Sequence, residues 1–384
     1  EPSTQLPRFG MESPDWDGNG ILGDDPRNSG IDMNRTFNYQ WNRYDIETDV
    51  EGSQVIGNNS WSSAGSAPAT VAAIGTIMIP QMVYDGYDKG YAVGLVCVAG
   101  GLGIIVPPSF PMVLYGVTNG VSIGDMFLAG WGPSFVVGGV LIFINWLICK
   151  KRGYKSPIPK ETSLKLFVKS VWEGKWALLM PIIILGGIFG GIFTPTEASA
   201  VAVVYSLIIS LFVYKDMSFK ELPQVFVEGA VSTATIMVMV GLSSASSYVI
   251  TTSGLPQQLV SFFSSITNSP VVILLLLNIL FLIIGMLMEA NAAVVMMTPI
   301  LLPLLNAFGI DLLQFGIVMS FNLCIGLVTP PVGLCLLLCN QTGETRLSHS
   351  LKAMMPMLLI SIIVLFLITY VSPLTTLLPS IMAG

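Results

Sequence analysis

The stretch GLGIIVPPSF, residues 101–110, interrupts a long apolar run with two glycines and two consecutive prolines. Proline has no backbone N–H, and its ring clashes with the preceding turn, so a Pro-Pro pair ends a helix. The break also leaves nearby carbonyl groups without their helical donors, which in an apolar layer is tolerated only where the backbone lines a cavity or is buried in protein. We therefore predict a broken helix whose free carbonyls can hold a cation. The half-helix that restarts after the break offers its positive N-terminus to an anion.

The rest of the chain has the composition of an integral membrane protein. Of its 384 residues, 53% are hydrophobic and 10% are charged, against about 25% charged in an average soluble domain. These runs lack the alternation of a membrane barrel strand, so the predicted fold class is all-α integral membrane. Apolar runs of about 20 residues, the length that crosses a bilayer, lie at 126–149, 176–193, 196–213, 226–250, 270–288 and 354–377, with broken runs at 70–117 and 290–340.

A second copy of the broken stretch lies later in the chain. A small-residue turn and an apolar arm precede each copy, AGSAPATVAAIGTIMIP at 64–80 and LMEANAAVVMMTPILLP at 287–303. Repeats with discontinuous helices are typical of secondary transporters, whose sites form at the unwound segments. An offset of 223 residues, the distance from Pro80 to Pro303, also pairs Gly86 with Gly309, Asp88 with Asp311, Gly103 with Gly326, Pro107 with Pro330 and Pro108 with Pro331.

The distribution of charge predicts the orientation. Residues 150–175 carry eight Lys and Arg and two Glu, and the positive-inside rule places such a segment in the cytoplasm. Counting helices from it puts the GYDKG loop, residues 86–90, inside and the GIDLL loop, residues 309–313, outside. The two repeats are therefore predicted to be inverted, as alternating access requires.

These observations divide the chain into four parts. Residues 1–63 are polar and acidic, with the Gly, Asn, Asp and Ser content of a disordered tail. Residues 64–149 hold the remainder of repeat one, namely a hairpin tip, the broken helix and one spanning helix. Residues 150–175 form the basic cytoplasmic linker. Residues 176–377 hold repeat two, from its scaffold helices to the last helix. By the repeat offset, the N-terminal part of the first repeat is expected to be missing.

Catalytic patterns are absent from the sequence. There is no HExxH, GxSxG or P-loop motif, and the five cysteines and the single His349 show no metal-ligand spacing. Cys335 and Cys339, four residues apart, are predicted to pack between helices. Neither an enzyme, nor an organic cofactor, nor a nucleic-acid partner is predicted.

Some polar residues near apolar runs have a structural explanation. Thr194 and Glu197 are predicted to form a capping box around Pro195. Asn278 and Asn322 can be explained by interhelical hydrogen bonds, although a functional role for Asn322 stays open because it precedes a break.

Three acidic residues lie at predicted turns. Asp88 and Asp311 are expected to start helices at the membrane surface. For Glu289, at a turn inside the membrane, we favour a functional or ion-linked role, because a buried unpaired carboxylate is costly.

Seven segments together resemble a known family, the large membrane subunit of tripartite ATP-independent periplasmic (TRAP) transporters. The resemblance covers residues 64–377, in order and without gaps. The segments are GSAPATVAAIG, GYDKG, GLGIIVPPS, SIGDMFLAG, GIFTPTEASAVA, EANAAVVMMTPILLP and IGLVTPPVG.

The resemblance implies a sodium-coupled importer of organic acids in the bacterial inner membrane. In such systems a periplasmic binding protein delivers the carboxylate, a small membrane subunit braces the large one, and the substrate site moves like an elevator. Two alternatives remain open at this point. One is an ion-coupled carrier of a related inverted-hairpin family that works without a binding protein, and the other is an inactive truncated membrane fragment.

The resemblance also implies the site. Two re-entrant hairpins would turn near residues 64–69 and 288–292, each facing a broken helix. The sodium ligands would come from Ser66, Thr70, Gly103 and Pro107 in repeat one and from Glu289, Asn291, Gly326 and Thr329 in repeat two. The substrate would contact Ser66, Pro108, Ser109, Asn291 and Pro331.

Overall fold

The computed structural model describes residues 67–154, 168, 171–172, 174–215 and 217–382. Within these ranges every regular element is a helix, which confirms the predicted all-α class. The predicted tail at 1–63 and most of the basic linker lie outside the described residues. Five helices are long and apolar enough to cross a membrane, judged by length and composition: Ile123–Arg152, Pro195–Tyr214, Pro270–Leu287, Ala290–Ala307 and Leu347–Tyr370.

Numbered along the described chain, the α-helices run from α1 to α14. A 3-10 turn, Leu102–Ile104, follows α2, and a π-helical turn, Ile209–Tyr214, extends α6. The helices are α1 (Ala67–Tyr84), α2 (Lys89–Gly101), α3 (Phe110–Asn119), α4 (Ile123–Arg152), α5 (Lys175–Phe189), α6 (Pro195–Ile208), α7 (Leu222–Thr252), α8 (Leu255–Ile266), α9 (Pro270–Leu287), α10 (Ala290–Ala307), α11 (Leu312–Leu327), α12 (Leu334–Thr342), α13 (Leu347–Tyr370) and α14 (Pro373–Met382).

The predicted run at 354–377 is wrong as a single span. Helix α13 begins earlier, at Leu347, and ends at Tyr370, and a separate helix, α14, begins at Pro373. The proline explains the stop, because the residue before a proline is driven out of the helical region. Hydropathy alone does not register this break, since the residues on both sides of it are apolar.

Asp88 and Asp311 begin helices, as predicted. The Oδ1 atom of Asp88 accepts the backbone N–H of Tyr91 at 2.9 Å, and Oδ1 of Asp311 accepts that of Gln314 at 3.0 Å. A carboxylate at this position satisfies one of the unpaired N–H groups of the first turn.

The two halves of the sequence have matching helix bounds. Adding the offset of 223 to the bounds of α1 gives those of α10, and adding it to Lys89, where α2 starts, gives Leu312, where α11 starts. The arms also exchange neighbours, because α1 packs against α12 while α10 packs against α3. Each arm therefore lies on the helix that follows the break of the other half.

Helix α4 acts as a ruler for the two ends of the molecule. Its 30 residues span about 45 Å. At its C-terminal end, the guanidinium carbon of Arg152 lies 4.9 Å from the centroid of the Tyr91 ring, and the Tyr154 hydroxyl accepts the Asp88 N–H at 3.3 Å. We call this end the basic end; it is defined by Lys89, Lys150, Lys151, Arg152, Arg346 and Lys352.

The loop that corresponds to Asp88 lies at the other end of α4. Gly116 lies against Ile123, the first residue of α4, and the neighbouring Tyr115 hydroxyl donates to the Leu312 carbonyl at 2.8 Å. The Asp88 loop and the Asp311 loop therefore lie at opposite ends of the helical bundle.

Candidate functional site

The first break is created by the two prolines. In a continuous helix, the N–H groups of residues 107 and 108 would bond to the carbonyls of Gly103 and Ile104. Pro107 and Pro108 have no N–H, so these two carbonyls lose their helical donors. The backbone closes a 3-10 turn at this point, with the Ile105 N–H donating to the Leu102 carbonyl at 3.0 Å.

Ser109 lies at the restart of the helix. It is 1% exposed and takes the N-cap position of α3 with an extended backbone. Its hydroxyl is buried without a hydrogen-bond partner in the protein. An unpaired buried hydroxyl costs about 1–3 kcal/mol, so this position suits a polar ligand at a helix N-terminus.

The first arm reaches the first break through Thr70. A Cβ atom placed on Gly103 would lie 2.6 Å from the Thr70 Oγ1 atom, so only glycine allows this approach. The predicted proximity of Thr70 and Gly103 is therefore present. Ser66, the other predicted residue of this tip, lies outside the described residues.

The first break is also held from α4, which the sequence did not suggest. The Ser134 hydroxyl lies 3.0 Å from the Ile105 carbonyl oxygen and 2.7 Å from that of Gly130. The buried Pro107 ring packs on Gly130. Ser134 has no counterpart of the same type at the repeat offset, where Met357 stands, so the repeat pattern gave no signal for it.

The second break has the same outline with different chemistry. The Thr329 N–H donates to the Gly326 carbonyl at 2.9 Å, and the Thr329 hydroxyl donates to the Ile325 carbonyl at 2.6 Å. Pro331 is exposed, and Val332 occupies the position that corresponds to Ser109. The two breaks therefore do not offer the same polar groups.

The second tip, between α9 and α10, is organised by Glu289. Its Oε2 atom accepts the Ala292 N–H at 3.1 Å as the N-cap of α10, and its Oε1 atom accepts the Asn291 side-chain N–H at 2.8 Å. The Asn291 Oδ1 atom is buried without a partner. The carboxylate thus orders the tip, and the Asn291 amide keeps one acceptor for a further group.

The second tip approaches the second break through α9. A Cβ atom placed on Gly326 would lie 2.5 Å from the Cα and carbonyl carbon of Gly285. Gly285 is four residues ahead of Glu289 in the sequence. The closest neighbour of Gly326 is thus the end of α9, and the tip residues Glu289 and Asn291 follow directly after it.

The two breaks meet each other at the centre of the molecule. The Cys324 thiol donates to the Gly101 carbonyl oxygen at 2.7 Å, and these two residues are 223 positions apart, which is the repeat offset. Val328 also lies against Gly101. Oxygen atoms freed by both breaks are therefore concentrated in one buried region.

The polar residues with a structural explanation behave as predicted. The Asn322 Nδ2 atom donates to the Asn278 backbone oxygen and to its Oδ1 atom at 2.9 and 2.8 Å, which joins α11 to α9. Thr194 and Glu197 form the predicted capping box. Cys335 and Cys339 are buried as free thiols.

Together, these features define a class of protein: a helical membrane protein with two broken helices that meet in its core. A family model described as "Tripartite ATP-independent periplasmic transporter, DctM component" matches residues 50–374. The chain therefore belongs to the DctM component family of the tripartite ATP-independent periplasmic transporters. This is a family of transport proteins and not of enzymes.

Three relatives illustrate the similarity. The chain is 41% identical over 308 residues to the isethionate TRAP transporter permease protein DctMQ of Oleidesulfovibrio alaskensis, covering 80% of this chain and 48% of that protein. It is 39% identical over 317 residues to the C4-dicarboxylate TRAP transporter large permease protein DctM of Pseudomonas aeruginosa, covering 83% and 74%. It is 36% identical over 321 residues to the sialic acid TRAP transporter large permease protein SiaM of Vibrio cholerae, covering 84% and 75%. The chain thus spans about half the length of the first relative.

Proposed function

We propose that this chain is the large subunit of a sodium-coupled importer of organic acids. The observation that carries the proposal is the meeting of the two breaks at Gly101 and Cys324. The freed carbonyls, Ser109 and Asn291 place oxygen acceptors near that point, at membrane depth. The names of the relatives, which refer to dicarboxylates, sialic acid and isethionate, all describe small organic anions.

The coupling ion follows from the donor types. Sodium is a hard cation, and hard cations prefer oxygen ligands. At the first break, the Gly103 carbonyl and the Thr70 hydroxyl supply oxygens, and at the second the Asn291 Oδ1 and Thr329 Oγ1 atoms do so. Thr329 donates its proton to Ile325, which leaves its oxygen lone pairs directed away from that bond. These residues fit sodium, with Glu289 ordering the second tip.

The substrate group follows from the asymmetry of the breaks. A carboxylate is stabilised at a helix N-terminus by the unpaired N–H groups and the helix dipole. Helix α3 has such an N-terminus with the buried Ser109 hydroxyl beside it, whereas the second break has Val332 at the corresponding position. We therefore place the substrate carboxylate at the first break, near Pro108 and Ser109, and the rest of the substrate toward Asn291.

The opposite placement of the Asp88 and Asp311 loops supports inverted repeats. Inverted repeats provide two related conformations, one open to each side of the membrane. In the proposed cycle, the breaks and the two arms move together across the bilayer as an elevator. The basic end, by the positive-inside rule, faces the cytoplasm of a bacterium whose inner membrane holds the protein.

Two protein partners complete the proposal. A periplasmic binding protein would deliver the organic acid at the end opposite to the basic end. A small membrane subunit would cover part of the exposed apolar surface of α5, α6 and α7, which includes Ile182, Val204 and Val238. Co-purification with both partners separates this proposal from a carrier that works without a binding protein.

The sodium site is tested by alanine substitutions at Asn291 and Thr329. We expect each substitution to raise the sodium concentration for half-maximal uptake about ten-fold, because each removes one proposed oxygen ligand. Uptake is measured against sodium concentration in proteoliposomes that also contain the small membrane subunit and a loaded binding protein. Folding should change little, since both residues lie at a helix end or turn.

Thr118→Ala is the matched control for Thr329→Ala. The Thr118 hydroxyl donates to the Leu114 carbonyl at 2.7 Å, the same bond to the preceding turn that Thr329 makes, but on the exposed part of α3. Its sodium dependence should equal that of the unmodified protein. An unaltered half-saturation in both Asn291→Ala and Thr329→Ala would show that the second break holds no sodium.

The orientation is tested by cysteine accessibility in intact cells. A membrane-impermeant maleimide should label Thr118→Cys and leave Lys151→Cys unlabelled until the membrane is permeabilised. Both positions are exposed at opposite ends of α4. The unmodified chain is the control, because four of its five cysteines are buried and Cys149 is partly buried. Labelling of Lys151→Cys in intact cells would reverse the proposed direction of both repeats.

A further inference from the structure

A basic cavity lies where α13 begins, apart from the two breaks. Its volume is about 520 Å³, and its lining includes Lys89 from the loop before α2 and Arg346, His349 and Lys352 from the start of α13. The Thr345 and Ser348 side chains also line it. The cavity therefore brings together basic residues from both halves of the sequence.

The charge of this cavity is positive in excess. Glu344 is the one carboxylate among its lining residues, against the permanent cations Lys89, Arg346 and Lys352. The nearby Asp88 is engaged elsewhere: its Oδ1 atom caps α2 and its Oδ2 atom lies 3.2 Å from the His349 Nε2 atom. The cavity is thus suited to an anion.

The start of α13 adds to this preference. Its N-cap residue is Arg346, whose side chain makes no capping hydrogen bond. A helix N-terminus without an acidic cap presents its unpaired N–H groups and a partial positive charge to any nearby anion. These groups face the same region as the Arg346 and Lys352 side chains, because the cavity is built around the first turns of this helix.

An exposed apolar stripe continues from the cavity along α13. Met355, Leu359 and Ile363 follow Lys352 at helical spacing and are 40%, 53% and 65% exposed. Helix α13 is one of the five helices suited to cross the membrane. The cavity therefore lies where this helix enters the apolar layer, with a greasy surface directly below a cluster of cations.

We propose that this cavity binds the phosphate of an anionic phospholipid, such as phosphatidylglycerol or cardiolipin, in the leaflet at the basic end. The phosphate contacts Lys89, Arg346 and Lys352, and an acyl chain lies along Met355, Leu359 and Ile363. Basic pockets at helix ends and an acyl-accommodating stripe are the two features that such a lipid requires. The bound lipid joins the loop of the first arm to the start of α13.

The proposal is tested by lipid titration of the purified protein with native mass spectrometry. Phosphatidylglycerol should bind more tightly than phosphatidylethanolamine, whose headgroup has no net charge. The Arg346→Gln/Lys352→Gln variant should bind phosphatidylglycerol about thirty-fold more weakly, because each basic residue near an anionic lipid contributes about a five-fold factor. Both side chains are exposed, so the helical content of this variant should match that of the unmodified protein.

Lys215→Gln/Lys220→Gln is the matched control. It removes the same charge from a loop outside the cavity and should leave the affinity for phosphatidylglycerol unchanged. An equal loss in this control would reduce the effect to net charge and overturn the proposal. Equal affinity of the unmodified protein for phosphatidylglycerol and phosphatidylethanolamine would overturn it as well.

Soluble probes and the partner subunit distinguish other occupants. Inorganic phosphate and glycerophosphoglycerol, the deacylated headgroup, should fail to displace the lipid at millimolar concentration, because they lack the acyl chain. Displacement by either would assign the cavity to a soluble anion. Loss of the lipid when the small membrane subunit is added would assign the α13 stripe to that subunit. Either result contradicts a lipid site.

Discussion

Replacement of Gly326 by alanine is expected to destabilise the protein by about 3 kcal/mol or more. The added Cβ atom would lie 2.5 Å from the Cα and carbonyl carbon of Gly285, whereas ordinary carbon contacts lie at about 3.5–4.0 Å. The atoms in the way are backbone atoms, so no rotamer change relieves the clash, and α9 must move away from α11 by about 1 Å. Overpacking of this kind costs about 1–3 kcal/mol, and more where the backbone must shift.

Gly139→Ala provides the same substitution without the contact. A Cβ atom on Gly139 would have no neighbour within 4 Å, and alanine is favoured over glycine in a helix by about 1 kcal/mol. This control should be neutral or slightly stabilised. Both variants are compared by thermal unfolding in the same detergent, together with the yield of monodisperse protein. A melting temperature for Gly326→Ala equal to that of Gly139→Ala would mean that α9 and α11 do not approach as described.

Replacement of Asn322 by leucine is expected to cost about 2 kcal/mol. Its side chain donates to both the backbone and the side-chain oxygen of Asn278, whose own amide donates to the Thr369 hydroxyl at 3.0 Å. This buried chain of hydrogen bonds joins α11, α9 and α13. Leucine has a similar shape, so the main loss is the unpaired Asn278 acceptors, and single bonds of this kind within membranes contribute up to about 1.7 kcal/mol.

The coupling between the two asparagines is measured with a double-mutant cycle. The Asn278→Leu/Asn322→Leu variant should cost at least about 1 kcal/mol less than the sum of the two single variants, because it leaves neither partner unpaired. Asn322→Leu combined with Ser265→Ala, an exposed position on α8, should be additive. Unfolding in mixed micelles supplies the free energies. Additivity of the two asparagine variants within about 0.5 kcal/mol would show that they are energetically independent.

Much of the candidate site could be predicted because proline and glycine act locally. Two adjacent prolines remove two helical donors wherever they occur, so the positions of both breaks followed from the sequence, as did the helix starts at Asp88 and Asp311. The sodium and substrate assignments remain predictions, since they were carried by resemblance to a family. Ser134 was missed because its bond to Ile105 joins segments 29 residues apart, and no spacing rule links a serine to a carbonyl at that separation.

The sequence by itself determined the class, the breaks and the paired arrangement of the two halves. These properties depend on hydropathy, on the missing N–H of proline and on internal similarity, all of which can be read one segment at a time. Only the tertiary structure decided which groups meet: Cys324 with Gly101, Gly326 with Gly285, and the basic residues of α13 with Lys89. The physical reason is that side chains in an apolar layer are all similarly hydrophobic. Which helices become neighbours then depends on close packing of small residues and on a few buried hydrogen bonds, and both are properties of two helices together.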